Sequence, residues 1–220
     1  MKRSKLFKTV ETPLITKVGA ISPKYYSVDE EDPYCWPEST VLRNKAGIKN
    51  FQELEAFEDA CADASVIDVI KLLEKTKVID IDVWRKVHKL LFEDVYPWAG
   101  ELRTVQMSKG ASLFAHPEYI EKAVRSLLSQ LAAEQLDMRD KQHLVDRLCH
   151  YYAEMNAIHP FREGNGRVQK LILNEIARRA GARILWQNLD IDQHLKAVLR
   201  SFYGDLSLLK RQMNDIIVEL

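Results

Sequence analysis

The chain has 220 residues, and 46% of them are hydrophobic, which is enough apolar material to fill the core of one domain. Its 32 Lys and Arg residues balance its 32 Asp and Glu residues, and this net charge of zero argues against a general binder of nucleic acids or membrane surfaces. The three cysteines, Cys35, Cys61 and Cys149, are odd in number and far apart, so they predict neither a disulfide framework nor a zinc site.

The N-terminal segment is basic but has no apolar run after it, so it does not read as a signal peptide. No apolar stretch is long enough to span a membrane. These features predict a cytoplasmic protein and leave secretion into a host cell open. Residues 1–31 show weak patterning, interrupted by Pro13, Gly19 and Pro23. We expect them to form an arm, followed by one domain over residues 32–220.

Apolar residues recur at helical spacing through the first half of this domain. They predict a helix over Phe51–Lys75 and a second helix capped by Asp80 or Asp82. The second helix is expected to end near Pro97, because proline cannot continue a helix. His88 lies on the apolar side of that helix and is interpreted as a packed histidine rather than a ligand.

A β-hairpin is predicted between the helices of the first and second halves. Residues 104–107 alternate and are rich in strand formers, residues 108–112 are turn-like, and residues 113–115 return as a second strand. The pattern alone fits a plain surface hairpin equally well.

The second half is again helical. Apolar spacing predicts helices over residues 118–135, 140–157, 168–180, from Asp190 onwards, and 206–220, with a short extended piece at residues 184–186. Together with the first two helices and the single hairpin, these segments predict an all-α fold.

A short polar loop, residues 159–167, joins two of these helices and carries side chains suited to phosphate. Gly164 and Gly166 allow the backbone amides to turn inward as an anion nest at a helix N-terminus. Asn165 adds a side-chain donor, and Arg167 adds a permanently charged fork for phosphate oxygens. A bland alternative is a helix–helix turn with glycine caps, but so many suitable groups in one loop favour a ligand.

Two further residues of the loop suit catalysis. His159 opens it and can act as a base near neutral pH. Glu163 is a hard oxygen ligand, of the kind that holds Mg²⁺ shared with a phosphate. The loop therefore indicates chemistry on a phosphate ester.

The loop resembles the signature of the Fic family, His-Pro-Phe-x-(Asp/Glu)-Gly-Asn-(Gly/Lys)-Arg, at every position. The resemblance implies a mainly helical fold and transfer of AMP from ATP to a Ser, Thr or Tyr hydroxyl of a target protein. His159 would be the base, Glu163 the Mg²⁺ ligand, and Arg167 the group that holds the terminal phosphate. Gly164, Asn165 and Gly166 would form an anion hole for the phosphates. Arg162 would be an additional nucleotide ligand, and Phe161 would anchor the loop in the core.

In the Fic family a hairpin called the flap overhangs the active site, and the resemblance assigns that role to the predicted hairpin. A target segment would dock there by strand addition, through main-chain hydrogen bonds. We expect Val105, Met107 and Phe114 to contact the target and Lys109 to contact the nucleotide.

The resemblance leaves two alternatives open. Relatives with diverged motifs transfer phosphate or phosphocholine, although the complete Gly-Asn-Gly-Arg ending favours AMP. A catalytically silent binding module is the other alternative, and the intact His159 and Glu163 count against it.

Many Fic proteins carry an inhibitory helix with the pattern (Ser/Thr)-x-x-x-Glu-(Gly/Asn), whose glutamate pairs with the final arginine of the motif. The nearest match begins at Ser27 but ends in Asp32, and Pro33 biases Asp32 away from helix. The resemblance therefore points to the class of Fic proteins that are toxins restrained by a small, separate antitoxin.

Overall fold

Most of the described part of the chain is helical, as predicted. The computed structural model describes residues 27–28, 32–110 and 112–220. Within these ranges it contains seven α-helices: α1 Phe51–Lys75, α2 Ile81–Phe92, α3 Pro117–Ala133, α4 Lys141–Ile158, α5 Asn165–Arg179, α6 Ile191–Phe202 and α7 Ser207–Ile216. The all-α class is confirmed. None of the helices in these ranges has the length and apolar character of a membrane span.

Local caps set the ends of α2. Of the two candidate caps, Asp80 is correct, since its side chain accepts a hydrogen bond from the N–H of Val83 at 2.9 Å. The helix ends at Phe92, earlier than predicted. The N–H groups of Val95 and Tyr96 both turn back onto the carbonyl of Phe92, which closes the helix before Pro97 is reached.

Helix α5 lies at the centre of the fold. It packs against α1, α2 and α4, and its apolar residues are almost fully buried. It begins at Asn165, three residues earlier than the apolar pattern indicated. The end of the predicted loop therefore forms the first turn of a helix whose position is held on three sides.

The predicted hairpin exists, but its strands are shifted along the chain. They are β2, Met107–Lys109, and β3, Ser112–Leu113, so Val105 precedes the first strand and Phe114 follows the second. The shift has a physical cause. The carbonyls of Val105 and Ala115 both accept hydrogen bonds from the side chain of Arg103. The two strands therefore pair only within the stretch between these two residues.

A third strand completes this sheet. Strand β1, Ser27–Val28, pairs antiparallel with β2, and the strand order is β1-β2-β3. These two residues belong to the predicted N-terminal arm; its other residues, 1–26 and 29–31, lie outside the described ranges. The boundary proposed at residue 32 stays a prediction.

The predicted C-terminal helix is wrong in its last turn. Helix α7 ends at Ile216, and residues Ile217–Glu219 form strand β5, which pairs antiparallel with β4, Ala182–Ile184. The β-branched residues Ile217 and Val218 suit a strand, and β4 supplies backbone partners that a local apolar pattern does not reveal.

Candidate active site

The loop of residues 159–167 lies between the C-terminus of α4 and the N-terminus of α5, and His159 makes its first turn. His159 has φ 48° and ψ 63°, a left-handed conformation that is uncommon for a residue other than glycine. Its N–H still donates to the carbonyl of Met155 at 3.1 Å. Its own carbonyl accepts from Nε of Arg103 at 2.8 Å. The backbone turn that opens the loop is thus held from both sides.

The imidazole of His159 is buried and stacks on the ring of Phe114, with centroids 4.0 Å apart and planes 18° from parallel. Burial lowers the pKa of His159 to about 3, and the positive charges of Arg103, Lys109 and Arg162 act in the same direction. A hydrogen bond to the backbone of Asn156 acts against them. The ring is therefore neutral at physiological pH, which is the form that accepts a proton.

Gly164 caps the N-terminus of α5 in a conformation that requires glycine. Its φ is 78°, and a Cβ atom at this position would lie 2.3 Å from the buried ring of Phe92. No side chain of the described residues caps the helix. The first amides of α5 therefore remain available to an anion, as expected of an anion hole.

Gly166 has a different role from Gly164. It lies in the first turn of α5 in ordinary helical conformation, and a Cβ atom there would meet nothing within 4 Å. The open space beside it is where a phosphate can approach the helix N-terminus closely.

The side chain of Asn165 braces the loop, and does not project from it as we expected of a phosphate donor. Its Oδ1 accepts from the N–H of Phe161 at 2.9 Å, and its Nδ2 donates to the carbonyl of Phe161 at 2.7 Å. These two bonds hold Phe161 in the core, where its ring is buried as predicted. What Asn165 offers a phosphate is its backbone amide.

Arg162 is also placed differently from the prediction. It was expected among the nucleotide ligands, but its side chain is 3% exposed and its Nε and Nη2 lie 2.9 and 2.6 Å from Oδ2 of Asp32. Asp32 is 130 residues away in sequence, so no local pattern indicates that the two side chains pair. The ion pair joins Asp32 to the loop.

Glu163 is buried, and one of its two carboxylate oxygens is without a hydrogen bond within the described ranges. Its Oε1 accepts from the N–H of Gly164 at 2.9 Å, whereas Oε2 has no hydrogen-bond partner among the described residues. Burial raises the pKa of Glu163, and the charges of Arg167, Arg162 and Lys109 together with the Gly164 hydrogen bond oppose that rise. A buried carboxylate oxygen without a partner is the expected signature of a group that receives a cation.

The protein alone does not build a complete metal site here. Within residues 27–28, 32–110 and 112–220, no cluster of three or more His, Cys, Asp or Glu side chains can hold a metal. One carboxylate fits Mg²⁺ all the same, because this ion is commonly held by one or two carboxylates together with substrate phosphates.

His88 is buried and contacts the backbone of Glu163, which confirms the interpretation of a packed histidine. Its Nδ1 accepts from the N–H of Gly100 at 2.8 Å, so the proton must be on Nε2, which lies 3.1 Å from the carbonyl of Glu163. The ring stacks on Phe161 at 3.9 Å. Burial lowers the pKa of His88 to about 3, which keeps this two-sided arrangement neutral.

Arg167 pairs with two carboxylates of α1. Its Nη2 is 2.8 Å from Oε2 of Glu58 and its Nη1 is 3.2 Å from Oδ1 of Asp59, and its guanidinium covers the ring of Phe92. Glu58 was not predicted as a site residue, although the sequence carries one signal for it. Glu58 shares the buried face of α1 with Leu54, and a carboxylate on such a face needs a cationic partner.

An apolar cavity of about 150 Å³ borders His159 and was not predicted. Its apolar walls come from the flap and from one face of α6: Phe114, Leu195, Val198, Leu199 and Phe202. Lys109 also lines it, so this predicted nucleotide ligand borders the same cavity as His159. The cavity extends the site from the phosphate loop towards α6.

The three predicted flap contacts lie at different depths. Met107 is fully buried, Phe114 is almost fully buried against His159, and Val105 is half-buried ahead of the strand. Leu113, on β3, is 61% exposed and faces outward.

The chain is similar to known proteins over most of its length. A family model described as the Fic/DOC family matches residues 78–177. The probable protein adenylyltransferase y4lH of Sinorhizobium fredii is 38% identical over 189 residues, covering 85% of this chain and 96% of that protein. The probable protein adenylyltransferase Fic of Escherichia coli is 33% identical over 191 residues, covering 86% of this chain and 93% of that protein. Protein adenylyltransferase VbhT of Bartonella schoenbuchensis is 39% identical over 189 residues, but this chain spans only 39% of its length.

Solved structures share the fold. The N-terminal Fic domain of a VirB-translocated effector of Bartonella quintana, with bound ADP, superposes with a TM-score of 0.75 at 21% identity, over 84% of this chain and 94% of that one. BepC of Bartonella tribocorum, with bound AMPPNP, gives a TM-score of 0.70 at 20% identity, over 85% and 97% of the two chains. With this fold, a loop that matches the signature at every position, and relatives that are alike along most of its length, the chain belongs to the Fic/DOC family.

Proposed function

We propose that this protein transfers AMP from ATP to a Ser, Thr or Tyr hydroxyl of a target protein. One observation carries the proposal. A single loop joins a neutral, buried His159 to an uncapped helix N-terminus and to Arg167. A proton acceptor and an anion site are thereby held at a fixed separation, which is what attack of a hydroxyl on a phosphate ester requires. Similarity to proteins named adenylyltransferases supports AMP as the group transferred.

The phosphates would lie over the first amides of α5, next to the open space at Gly166, with Arg167 balancing their charge. Glu163 would hold Mg²⁺ through Oε2, and the ion would neutralise charge on the phosphates when bound. Lys109 adds a positive charge from the flap side.

The adenine base would enter the cavity lined by Phe114, Leu199 and Phe202. A purine has two flat apolar faces, and a pocket of this size with aliphatic and aromatic walls suits such a ring. His159 also lines the cavity. The α-phosphorus lies between the adenine and the terminal phosphates, so it would come to lie near the imidazole of His159.

The target hydroxyl would give its proton to His159 as its oxygen attacks the α-phosphorus. The bond from that phosphorus to the bridging oxygen then breaks, and pyrophosphate leaves with the electron pair. The target chain would add to the outer edge of β3, because the other edge of the hairpin, on β2, is already paired with β1.

The proposal is tested with two labels. Purified protein, a lysate and Mg²⁺ are incubated with ATP labelled either at the α- or at the γ-phosphate. Transfer of AMP labels target proteins only from α-labelled ATP, whereas transfer of phosphate labels them only from γ-labelled ATP. His159→Ala should lose the label while still binding ATP. A protein that binds ATP but labels nothing from either nucleotide would be the silent binding module.

We also propose that a separate antitoxin restrains this protein. The segment that comes nearest to the inhibitory pattern runs from Ser27 to Asp32. Its first two residues, Ser27–Val28, form a strand and not a helix, and its last residue, Asp32, is paired with Arg162. Residues 29–31 lie outside the described ranges. An antitoxin glutamate directed at Arg167 would compete with Glu58. The chain expressed alone should label targets strongly, and co-expression of a partner with the inhibitory pattern should suppress labelling. A silent chain that is activated by changing Glu31 would refute the proposal.

A further inference from the structure

Arg103 lies between Gly100 and β2, and among the described residues the hydrogen-bond acceptors of its guanidinium are all backbone carbonyls. Its Nε donates to the carbonyl of His159 at 2.8 Å, its Nη1 to that of Val105, and its Nη2 to those of Ala115 and Ile158. The side chain is 2% exposed. The neighbouring backbone reinforces the contact, since the N–H of Arg103 donates to the carbonyl of Pro160 at 2.9 Å.

These carbonyls come from two parts of the site. Val105 and Ala115 flank the two strands of the flap, one before β2 and one after β3. Ile158 and His159 form the left-handed turn that ends α4 and opens the catalytic loop. One planar group therefore joins the base of the flap to the peptide that carries the imidazole.

The charge of Arg103 is balanced without a carboxylate. No ion pair to it occurs in the described part of the chain, although a buried cation normally requires one. Its partners include the last carbonyls of α4, where the helix dipole favours a cation. Burial lowers the pKa of Arg103 to about 10, so the guanidinium stays protonated at neutral pH.

We propose that Arg103 is a positioning residue that holds the flap and His159 in one register, so that a hydroxyl docked along β3 meets the base. This inference rests on the proposed function. A displacement of about 1 Å between reacting groups can cost about 100-fold in rate, so a rigid link between the docking edge and the base has a direct kinetic consequence.

Lysine cannot replace this link. Its ammonium is a compact point charge with three donors, whereas the planar guanidinium directs five N–H donors outward around its edge and so reaches several carbonyls at once. Arg103→Lys keeps the charge but leaves some of these carbonyls without their donor. The loss should appear in the turnover number for target labelling rather than in ATP binding, because none of the carbonyls belongs to the anion hole.

The structure offers a matched control in Arg179. Its guanidinium also donates to backbone carbonyls at a helix C-terminus, those of Leu73, Thr76 and Lys77 at the end of α1, and it pairs in addition with the carboxylate of Glu175. It lines a different cavity, formed by the ends of α3 and α5, which shares no residue with the cavity at His159. Arg179→Lys therefore disturbs a comparable cap away from the site.

The experiment compares wild type, Arg103→Lys and Arg179→Lys, each assayed well below its own melting temperature. The affinity for the ATP analogue AMPPNP is measured by calorimetry, and kcat and KM are measured for labelling of one identified target. We expect Arg103→Lys to lose about 100-fold in kcat, with AMPPNP affinity within about twofold, whereas Arg179→Lys changes neither. A wild-type kcat in Arg103→Lys would overturn the inference, and so would a parallel loss of kcat and AMPPNP affinity.

Two readouts separate positioning from general stability. Amide hydrogen exchange of β2 and β3 should be faster in Arg103→Lys but not in Arg179→Lys, and this measurement does not depend on activity. Arg103→Ala should regain part of its kcat when guanidinium ion is added. If wild type binds AMPPNP but labels no target, the proposed function fails, and hydrogen exchange alone decides on the link: unchanged exchange in Arg103→Lys would refute it.

Discussion

Nη2 of Arg167 lies 2.8 Å from Oε2 of Glu58, and this contact joins the phosphate end of the loop to the buried face of α1. Glu58 is itself held by the hydroxyl of Tyr96. Burial raises the pKa of the Glu58 carboxyl and the charge of Arg167 opposes that rise. A fixed carboxylate of this kind can hold the arginine in the orientation that binds a phosphate, or it can compete with the phosphate for the arginine. Because Glu58 is buried and held by a second partner, we infer that it orients the arginine.

Glu58→Gln should therefore weaken ATP binding. Without the charged partner, the long arginine side chain regains rotamers that must be lost again when phosphate binds. We expect the KM for ATP to rise by about tenfold with no increase in kcat. Asp59→Asn is the control, since Asp59 is 40% exposed and its 3.2 Å pair with Arg167 is screened by water. Faster labelling by Glu58→Gln would instead identify Glu58 as a restraint within this chain.

The two loop glycines should respond in opposite ways to alanine. Gly164→Ala forces a left-handed alanine and a collision with the ring of Phe92, so we expect a loss of about 3 kcal/mol in the free energy of unfolding. Gly166→Ala lies in ordinary helix with open space beside it and should fold at least as stably as wild type. Its methyl group would occupy the approach to the helix N-terminus and weaken ATP binding about tenfold. Urea unfolding and calorimetry with AMPPNP measure both effects. Unchanged AMPPNP affinity in Gly166→Ala would place the phosphates elsewhere.

Strand addition at the flap predicts a selective effect at Leu113. The N–H of Phe114 donates to the carbonyl of Met107, so by alternation the N–H of Leu113 points to the outer edge of β3. Leu113→Pro removes that edge donor without breaking the hairpin ladder, whereas Leu113→Ala retains it. We expect target labelling to fall roughly five- to tenfold for proline relative to alanine, with equal ATP binding. If the two variants label targets equally, docking does not use this edge.

Glu163→Gln tests the metal role separately from turnover. Glutamine keeps an oxygen that can accept from the N–H of Gly164, but it removes the charge that would attract the cation. In wild type, Mg²⁺ should tighten ATP binding, and in the variant this effect of Mg²⁺ should disappear. Calorimetric titration of ATP with Mg²⁺ or with EDTA measures it. A full Mg²⁺ effect in Glu163→Gln would show that the cation is held by other groups.

Burial of His159 predicts a pH dependence of stability. Its folded pKa of about 3 lies below the ordinary value of 6.5, so the unfolded chain binds the proton first. The stability associated with the neutral ring is complete above pH 6.5 and is lost as the pH falls from 6.5 towards 3. Wild type should therefore lose more stability than His159→Ala on acidification, by a difference approaching about 1.4 kcal/mol per pH unit below pH 5.5. Urea unfolding at pH 7.5, 5.5 and 4.5 measures the difference, and parallel pH profiles would contradict the burial of a neutral ring.

The strands and the last helix show where local pattern failed. Alternation predicted the hairpin at residues 104–115. Arg103 binds the carbonyls at both ends of this stretch, so strand pairing is confined to Met107–Lys109 and Ser112–Leu113. A helical pattern continued to the C-terminus, but β4 offered backbone partners to Ile217–Glu219. In both cases a contact distant in sequence outweighed the local preference.

The sequence by itself determined the helices, the position of the loop and the identity of its reactive groups. Helices follow from spacing and caps within a few residues, as at Asp80, and the signature is contiguous, so His159, Glu163 and Gly164 could be assigned without knowing the fold. Only the tertiary structure decided which partners the charged groups in and around the loop have. Arg162 is bound to Asp32, Arg167 meets Glu58, and Arg103 holds the His159 carbonyl, across separations of 130, 109 and 56 residues. These partners are chosen by burial, because a charge or a carbonyl removed from water must find its counterpart wherever the packing of the chain supplies one.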